Sequence, residues 1–189
     1  MKFNQKKFLC VLLSGLFLLS AGCESKSGIN VETSQTQETT EAFQEVQAEL
    51  GQEAEFGGMK MTVLSVRDPE IIMEQSGKMA LFFEVELDNQ TQETVVANYL
   101  NNFSITVDGI HYDSNECCTI PVMRKLYDFY SVDAMNEEIP AGESRQGMIA
   151  CEVNTDFKEL SLHYTPKTTD RGSKITVPVA KDKITKAEK

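Results

Sequence analysis

Met79-Ala80-Leu81-Phe82-Phe83-Glu84-Val85-Glu86-Leu87-Asp88, residues 79–88, decides the fold. Side chains on a strand point alternately to opposite faces. Met79, Leu81, Phe83, Val85 and Leu87 fall on one face, Ala80, Phe82, Glu84, Glu86 and Asp88 on the other, which is the period of a half-buried strand. The same period recurs on both sides of it. Met59, Met61 and Val63 alternate with Lys60 and Thr62; Phe103, Ile105 and Val107 form another run, closed by the hairpin signal Asp108-Gly109 ahead of His111-Tyr112. Gly147 to Val153, Leu160 to Tyr164 and Ile175 to Val179 follow, with Gly77, Asp88-Asn89, Ile139-Pro140-Ala141-Gly142-Glu143 and Pro166 as turns. Short strands without long amphipathic helices between them predict an all-β antiparallel sandwich over residues 51–180. That length supports a real core. No internal repeat is visible.

Outside this domain the composition changes. Lys2, Lys6 and Lys7, the apolar stretch Phe8 to Leu19 and the small residues after it have the three parts of a secretory signal over residues 1–22. The apolar run is short for a hydrocarbon core of ~30 Å and ends in a processing site rather than a stop-transfer flank. Leu19-Ser20-Ala21-Gly22-Cys23 resembles the lipobox of bacterial lipoproteins, with Ser20 standing where a large aliphatic residue is commoner. The resemblance implies a diacylglyceryl group on Cys23 and cleavage just before it. Two fatty chains hold a protein on a membrane stably where one does not, at ~0.8 kcal/mol per buried methylene. The alternative is a plain secreted protein with Cys23 as a free thiol. Residues 23–50 are rich in Ser, Thr, Gln and Glu and are expected to form a disordered linker; Phe43, Val46 and Leu50 give its last part some helical potential. Residues 181–189 are expected to be a frayed charged tail.

The formal charge is −11 over 189 residues, and loss of the leader, with three lysines and no acids, takes it to about −14. Such a balance disfavours nucleic acid and anionic lipid as direct partners. The expected location is the cell membrane, held by lipid on Cys23 and facing outward.

Four stretches carry a resemblance: Phe56-Gly57-Gly58-Met59-Lys60-Met61-Thr62-Val63, then Phe82 to Gln90 (FFEVELDNQ), then Ile139-Pro140-Ala141-Gly142-Glu143, then Leu160-Ser161-Leu162-His163-Tyr164. In this order they are similar to an uncharacterised Ig-like domain of lipid-anchored and secreted Gram-positive proteins, related in fold to a secreted mycobacterial immunogenic antigen. The resemblance implies an Ig-like sandwich over most of residues 51–180. It carries no catalytic residue across, and its motifs are structural. The vicinal cysteines and the segment around Tyr127 depart from it.

Chemistry has few places to reside. Cys117, Cys118 and Cys151 are the thiols of the domain, and outside the cytoplasm a disulfide is permitted. Cys151 alternates with Ile149 and Val153 and should face the core, so one bond to Cys118, or else to Cys117, is expected; three reduced thiols are the rival. A metal site for Cu(I) or zinc from Cys117, Cys118, His111 and Met123 has the right soft donors but no recognised ligand spacing. No cofactor is expected. His163 lies on the polar phase of its strand with Ser161 and Thr165 and is expected at the surface, since no nucleophile elbow accompanies it. Glu84, Glu86 and Asp88 form an ordinary solvated strand face, and no calcium-loop motif is present.

The segment Tyr112 to Glu138 is long for a sandwich connection and holds Met123, Leu126, Tyr127, Phe129, Tyr130 and Met135. Aromatic and methionine side chains suit interfaces, which makes Tyr127, Phe129 and Tyr130 the interaction candidates; a helical turn capping one end of the core would use about half of them instead. The reading of the sequence is a non-catalytic, cell-surface lipoprotein whose Ig-like domain binds an envelope or extracellular partner. Its rival is a metal or thiol-redox lipoprotein built on Cys117, Cys118 and Cys151.

Overall fold

A computed structural model describes residues 44–73, 77–166 and 173–188. The expected signal sequence, Cys23 and the linker as far as residue 43 lie outside the described residues. In chain order the elements are β1 (Glu45–Gln47), β2 (Glu53–Phe56), β3 (Met59–Asp68), β4 (Ile72–Met73), β5 (Lys78–Asn89), β6 (Val95–Asn98) and α1 (Tyr99–Asn102). They continue with β7 (Phe103–Val107), β8 (Ile110–Tyr112), α2 (Ser114–Cys117), α3 (Ile120–Tyr130), β9 (Asn136–Ile139), β10 (Ser144–Asn154), β11 (Leu160–Tyr164), β12 (Lys174–Pro178) and β13 (Thr185–Lys186). A 3-10 turn, Lys181–Lys183, precedes the last strand.

The all-β expectation holds. One sheet runs β1-β12-β11-β7-β8; the other runs β10-β5-β3-β13, with β2 also on β3 and β4 on β5; β6 and β9 form a small ribbon. Pairing is antiparallel except for β1 with β12 and β13 with β3. β5 lies in the middle of its sheet, paired with β10 from Ser144 opposite Asp88 to Asn154 opposite Lys78. Its inward residues Leu81, Phe83, Val85 and Leu87, with Met59 and Met61, form one buried cluster with Phe103, Ile105, Leu162, Tyr164, Ile175 and Val177 of the other sheet. That inter-sheet layer is the core of the β-sandwich.

The outward phase of β5 splits in two. Ala80 and Phe82 are fully buried in a second apolar cluster beneath Val122 and Leu126 of α3, while Glu84 and Glu86 further along are only partly covered. A helix therefore lies on the apolar half of a face whose other half is charged.

Two domain boundaries are corrected. The expected linker ends by Gln44: Val46 pairs with Ile175, the Ala48 N–H donates to the Thr176 carbonyl at 3.0 Å, and Val46 and Ala48 join the core. The helical potential of this stretch yields to that pairing. The expected frayed tail is folded too, because Thr185 pairs with Arg67 and Lys186 with Asp68, the Ala187 N–H donates to the Asp68 carbonyl at 2.8 Å, and Lys186 Nζ meets Glu70 at 2.6 Å.

Candidate functional site

Between β8 and β9 the chain leaves the sandwich and builds α2 and α3. Asp113 starts α2 with a capping box, in which the Glu116 carboxylate accepts from the Asp113 N–H at 2.9 Å. Cys118 closes α2 in a non-helical conformation (φ −94°, ψ 55°), its N–H donating to the Ser114 carbonyl at 2.7 Å. Thr119 then opens α3, with Pro121 in the first turn, where a missing N–H costs nothing. The Thr119 hydroxyl donates to the carboxylate of Glu152, the residue after Cys151 on β10. α3 ends at Ser131 in the left-handed region (φ 57°), the Ser131 N–H donating to the Tyr127 carbonyl at 2.7 Å.

This geometry gathers the three thiols. Cys117 and Cys118 sulfurs lie 3.6 Å apart, and Cys118 and Cys151 sulfurs 3.5 Å apart. All three are within 4.8 Å of one another, free, and at most 2% exposed. The expected pair Cys118 and Cys151 is thus brought together, as thiols, and Cys117 joins it. Cys117 is the most acidic of the set, lowered to about 4 because the thiols of Cys118 and Cys151 donate toward it. Cys118 and Cys151 are held well above the ordinary thiol range, first by that hydrogen bonding to Cys117 and then by burial.

His111, offered above as a fourth metal ligand, is not in this group. It lies on β8, half-exposed, with Nε2 3.2 Å from Asp113 Oδ1 and Nδ1 3.5 Å from Thr106 Oγ1. Met123 packs between the two apolar clusters.

His163 is corrected from a surface residue to a buried one, 3% exposed. Its polar phase is real, but the outer face of the sheet carries a transverse row of polar side chains that enclose it. Thr176 Oγ1 donates to Glu45 Oε1 at 2.6 Å and has no second proton, so His163 Nδ1–H, 2.9 Å away, must donate to Thr176. Nε2 then accepts from the Thr106 hydroxyl at 2.7 Å. A neutral ring satisfied on both sides results, its pKa lowered to about 3 by burial first, then by Lys174 and His111. Beside this row lies an open polar groove of about 420 Å³, lined among others by Ser104, Thr106, His111, Asp113 and Lys174.

Of the three interaction candidates only Tyr127 is presented outward, 53% exposed. Phe129 and Tyr130 turn inward onto Phe82, with ring centroids 5.8 Å from it, and Arg67 donates to the Tyr130 hydroxyl at 3.4 Å. The same Arg67 pairs with Glu84 at 2.7 Å, so part of the expected solvated acidic face is neutralised. Ile120, which sequence reasoning passed over, is 83% exposed and lies seven positions before Tyr127, about two helical turns away on the same face.

A family model described as a domain of unknown function, DUF4352, matches residues 48–175. The chain belongs to this family. No curated protein matches it. Among solved structures, a candidate lipoprotein of Bacillus subtilis, ycdA, aligns with a TM-score of 0.50 at 13% identity, over 69% of this chain and 38% of that one. The chain thus spans well under half the length of ycdA. A candidate lipoprotein of Staphylococcus aureus is 15% identical with a TM-score of 0.45, over 71% of this chain and 96% of that one. The secreted Mycobacterium tuberculosis protein MPT63 is 12% identical with the same TM-score and coverage. These identities speak for fold alone. No helix among the described residues is long and apolar enough to cross a membrane.

In this DUF4352 domain three of the quoted stretches converge on one end of a sheet. Gly57 and Gly58 turn β2 into β3 with φ of 61° and 74°, and a Cβ on Gly58 would come within 2.8 Å of Thr91 Cγ2. The Gln90 N–H donates to the Gly58 carbonyl at 2.8 Å. Asn89 is fully buried: its amide donates to the carbonyls of Glu93 and Ile139, and its oxygen accepts from the Thr91 N–H and hydroxyl. Gly142 (φ 75°) donates its N–H to the Asn89 carbonyl at 2.7 Å. The motifs are the fastening of this end of the sandwich.

Proposed function

We propose that the chain is a lipid-anchored, non-catalytic binding module of the bacterial envelope that meets its partner with the outer face of α3. The observation that carries this reading is the pair Ile120 and Tyr127, 83% and 53% exposed on one face of a helix whose other face is anchored by Val122 and Leu126. Two large apolar side chains stacked on the solvent face of an amphipathic helix, rather than one alone, make a patch that a partner can cover. The anchor is supported by Leu19 to Cys23 and by the lipoprotein description of the structurally similar ycdA. Held by Cys23, such a domain needs only a surface, a partner and an orientation.

The test has two arms. Intact mass of the chain from membranes should show loss of residues 1–22 and a diacylglyceryl group on Cys23; an unmodified Cys23 overturns the anchor. A photoreactive residue placed at Tyr127 should give one discrete crosslinked species in intact cells, lost with Ile120→Glu. The same probe at Lys60, which pairs with Asp88 at the far end of that sheet face from the Phe82 that α3 covers, should give none. Equal crosslinking at both positions overturns the α3 surface.

A further inference from the structure

We infer that Cys117, Cys118 and Cys151 form a three-coordinate thiolate site for a soft monovalent ion, Cu(I). The inference is independent of the α3 surface and concerns the interior side of the same excursion. An ion bound at about 2.3 Å to three sulfurs in one plane sets them about 4 Å apart. The sulfurs stand at 3.6 and 3.5 Å with the third separation within 4.8 Å. Closing the site requires only shifts of tenths of an ångström.

The donor set chooses the ion. Among the described residues no histidine or carboxylate joins the three sulfurs, and all three are buried at 0–2% exposure, which leaves no ready place for a water ligand. Zinc in a closed site asks for four ligands. Soft thiolates select Cu(I), and three of them complete its shell. The usual objection to adjacent cysteines is that their side chains diverge. Here Cys118 leaves the helical conformation at φ −94°, ψ 55°, and that turn brings both sulfurs to one side.

The site is also braced. The Thr119 hydroxyl bonds to Glu152, tying the residue after Cys118 to the residue after Cys151. The Asp113 capping box fixes the start of α2, and the Cys117 sulfur is 3.9 Å from the Tyr112 carbonyl. α2 is only four residues long, and helices that short open readily, which supplies an entry route for the ion. Coordination displaces the sulfur-bound protons to solvent, so uptake weakens as pH falls.

The experiment uses the full chain with Cys10→Ser and Cys23→Ser, reduced and kept anaerobic, so that only the clustered thiols respond. Cu(I) is titrated against bicinchoninate, a chromophoric Cu(I) chelator. One Cu(I) per chain should be retained, with thiolate-to-copper absorption in the near ultraviolet, and the thermal midpoint should rise with Cu(I) and not with Zn(II). Retention should be lost in Cys117→Ser and in Cys151→Ala, each checked for a native circular dichroism spectrum. The rise in midpoint of the unsubstituted cluster carries the test if both variants misfold. Tyr127→Glu should retain copper unchanged, which separates this inference from the binding surface. Failure to hold Cu(I) against the chelator overturns the site. So does retention that survives loss of all three cysteines, an equal midpoint rise with Zn(II), or isolation of the chain from cells with one free thiol in the cluster instead of three.

Discussion

Asn89 Nδ2 donates at 2.8 Å to the carbonyl of Ile139, fifty residues further along the chain. The same amide holds Glu93 and Thr91, and every polar atom of this buried side chain is used. A buried group of this kind costs more to break than it gains to make, because its former partners are left dry and unpaired. Asn89→Ala should therefore lower stability by about 3 kcal/mol. Urea denaturation of the two proteins measures it, and an unchanged midpoint would show that water takes over the role.

Gly147 has no side chain because Met135 occupies its space. A Cβ there would stand 2.6 Å from Met135 Cε and 3.1 Å from its Cβ. Gly147→Ala should cost about 1–3 kcal/mol as an overpacked site. Adding Met135→Ala should return part of it, and the double-mutant cycle should show coupling between the two positions.

His163 gives the fold a defined acid weakness. Its pKa falls from 6.5 to about 3 on folding, so between those values the unfolded chain takes up a proton that the folded chain refuses. Stability is whole above about pH 6.5 and declines as pH drops toward 3, by a few kcal/mol in all. His163→Gln, which can still bond both threonines, should flatten that part of the slope. Denaturation midpoints at pH 7, 5.5 and 4.5 compare the two proteins, and parallel slopes would contradict the assignment.

The two faces of α3 should separate cleanly by mutation. Phe82→Ala removes the ring on which Phe129 and Tyr130 pack and should cost about 3–5 kcal/mol. Tyr127→Ala, on the exposed side, should change stability by no more than about 0.5 kcal/mol. Thermal or chemical unfolding of the pair is sufficient.

Much of the sandwich is legible in the period of its strands, and the exceptions have identifiable causes. Met59, Met61 and Val63 read cleanly, but β3 continues past a bulge between Val63 and Ser65, which leaves Leu64 outside and returns Val66 to the core. An extra residue resets a two-residue period, so the run looks finished where it is only shifted. β1 and β13 are too short and too polar to show any period, and only their pairing reveals them. Ala80 and Phe82 are apolar where Glu84 and Glu86 are not, a difference that reading the strand as half-buried passes over. What covers them is α3, and its placement depends on tertiary packing that no local pattern encodes. That Cys151 meets Cys118 or Cys117 is legible from the inward phase of Cys151, without a choice between the two. That Cys117 turns the same way depends on the backbone at Cys118, and the burial of His163 on threonines from two neighbouring strands.

The parallel pairing of β13 with β3 bears on the timing of folding. Thr185 reaches the Val66 carbonyl, 119 residues back, at 3.5 Å, so the part of the β3 edge that β2 leaves uncovered, at Arg67 and Asp68, stays open until β13 has been delivered. Ribosomes and export channels both release a chain from its N-terminal end. Until β13 arrives, the Arg67–Asp68 end of β3 presents an unpaired strand edge, the kind of template that recruits neighbouring chains. Pairing with β13 covers that edge, which makes Thr185 and Lys186 a guard against premature assembly.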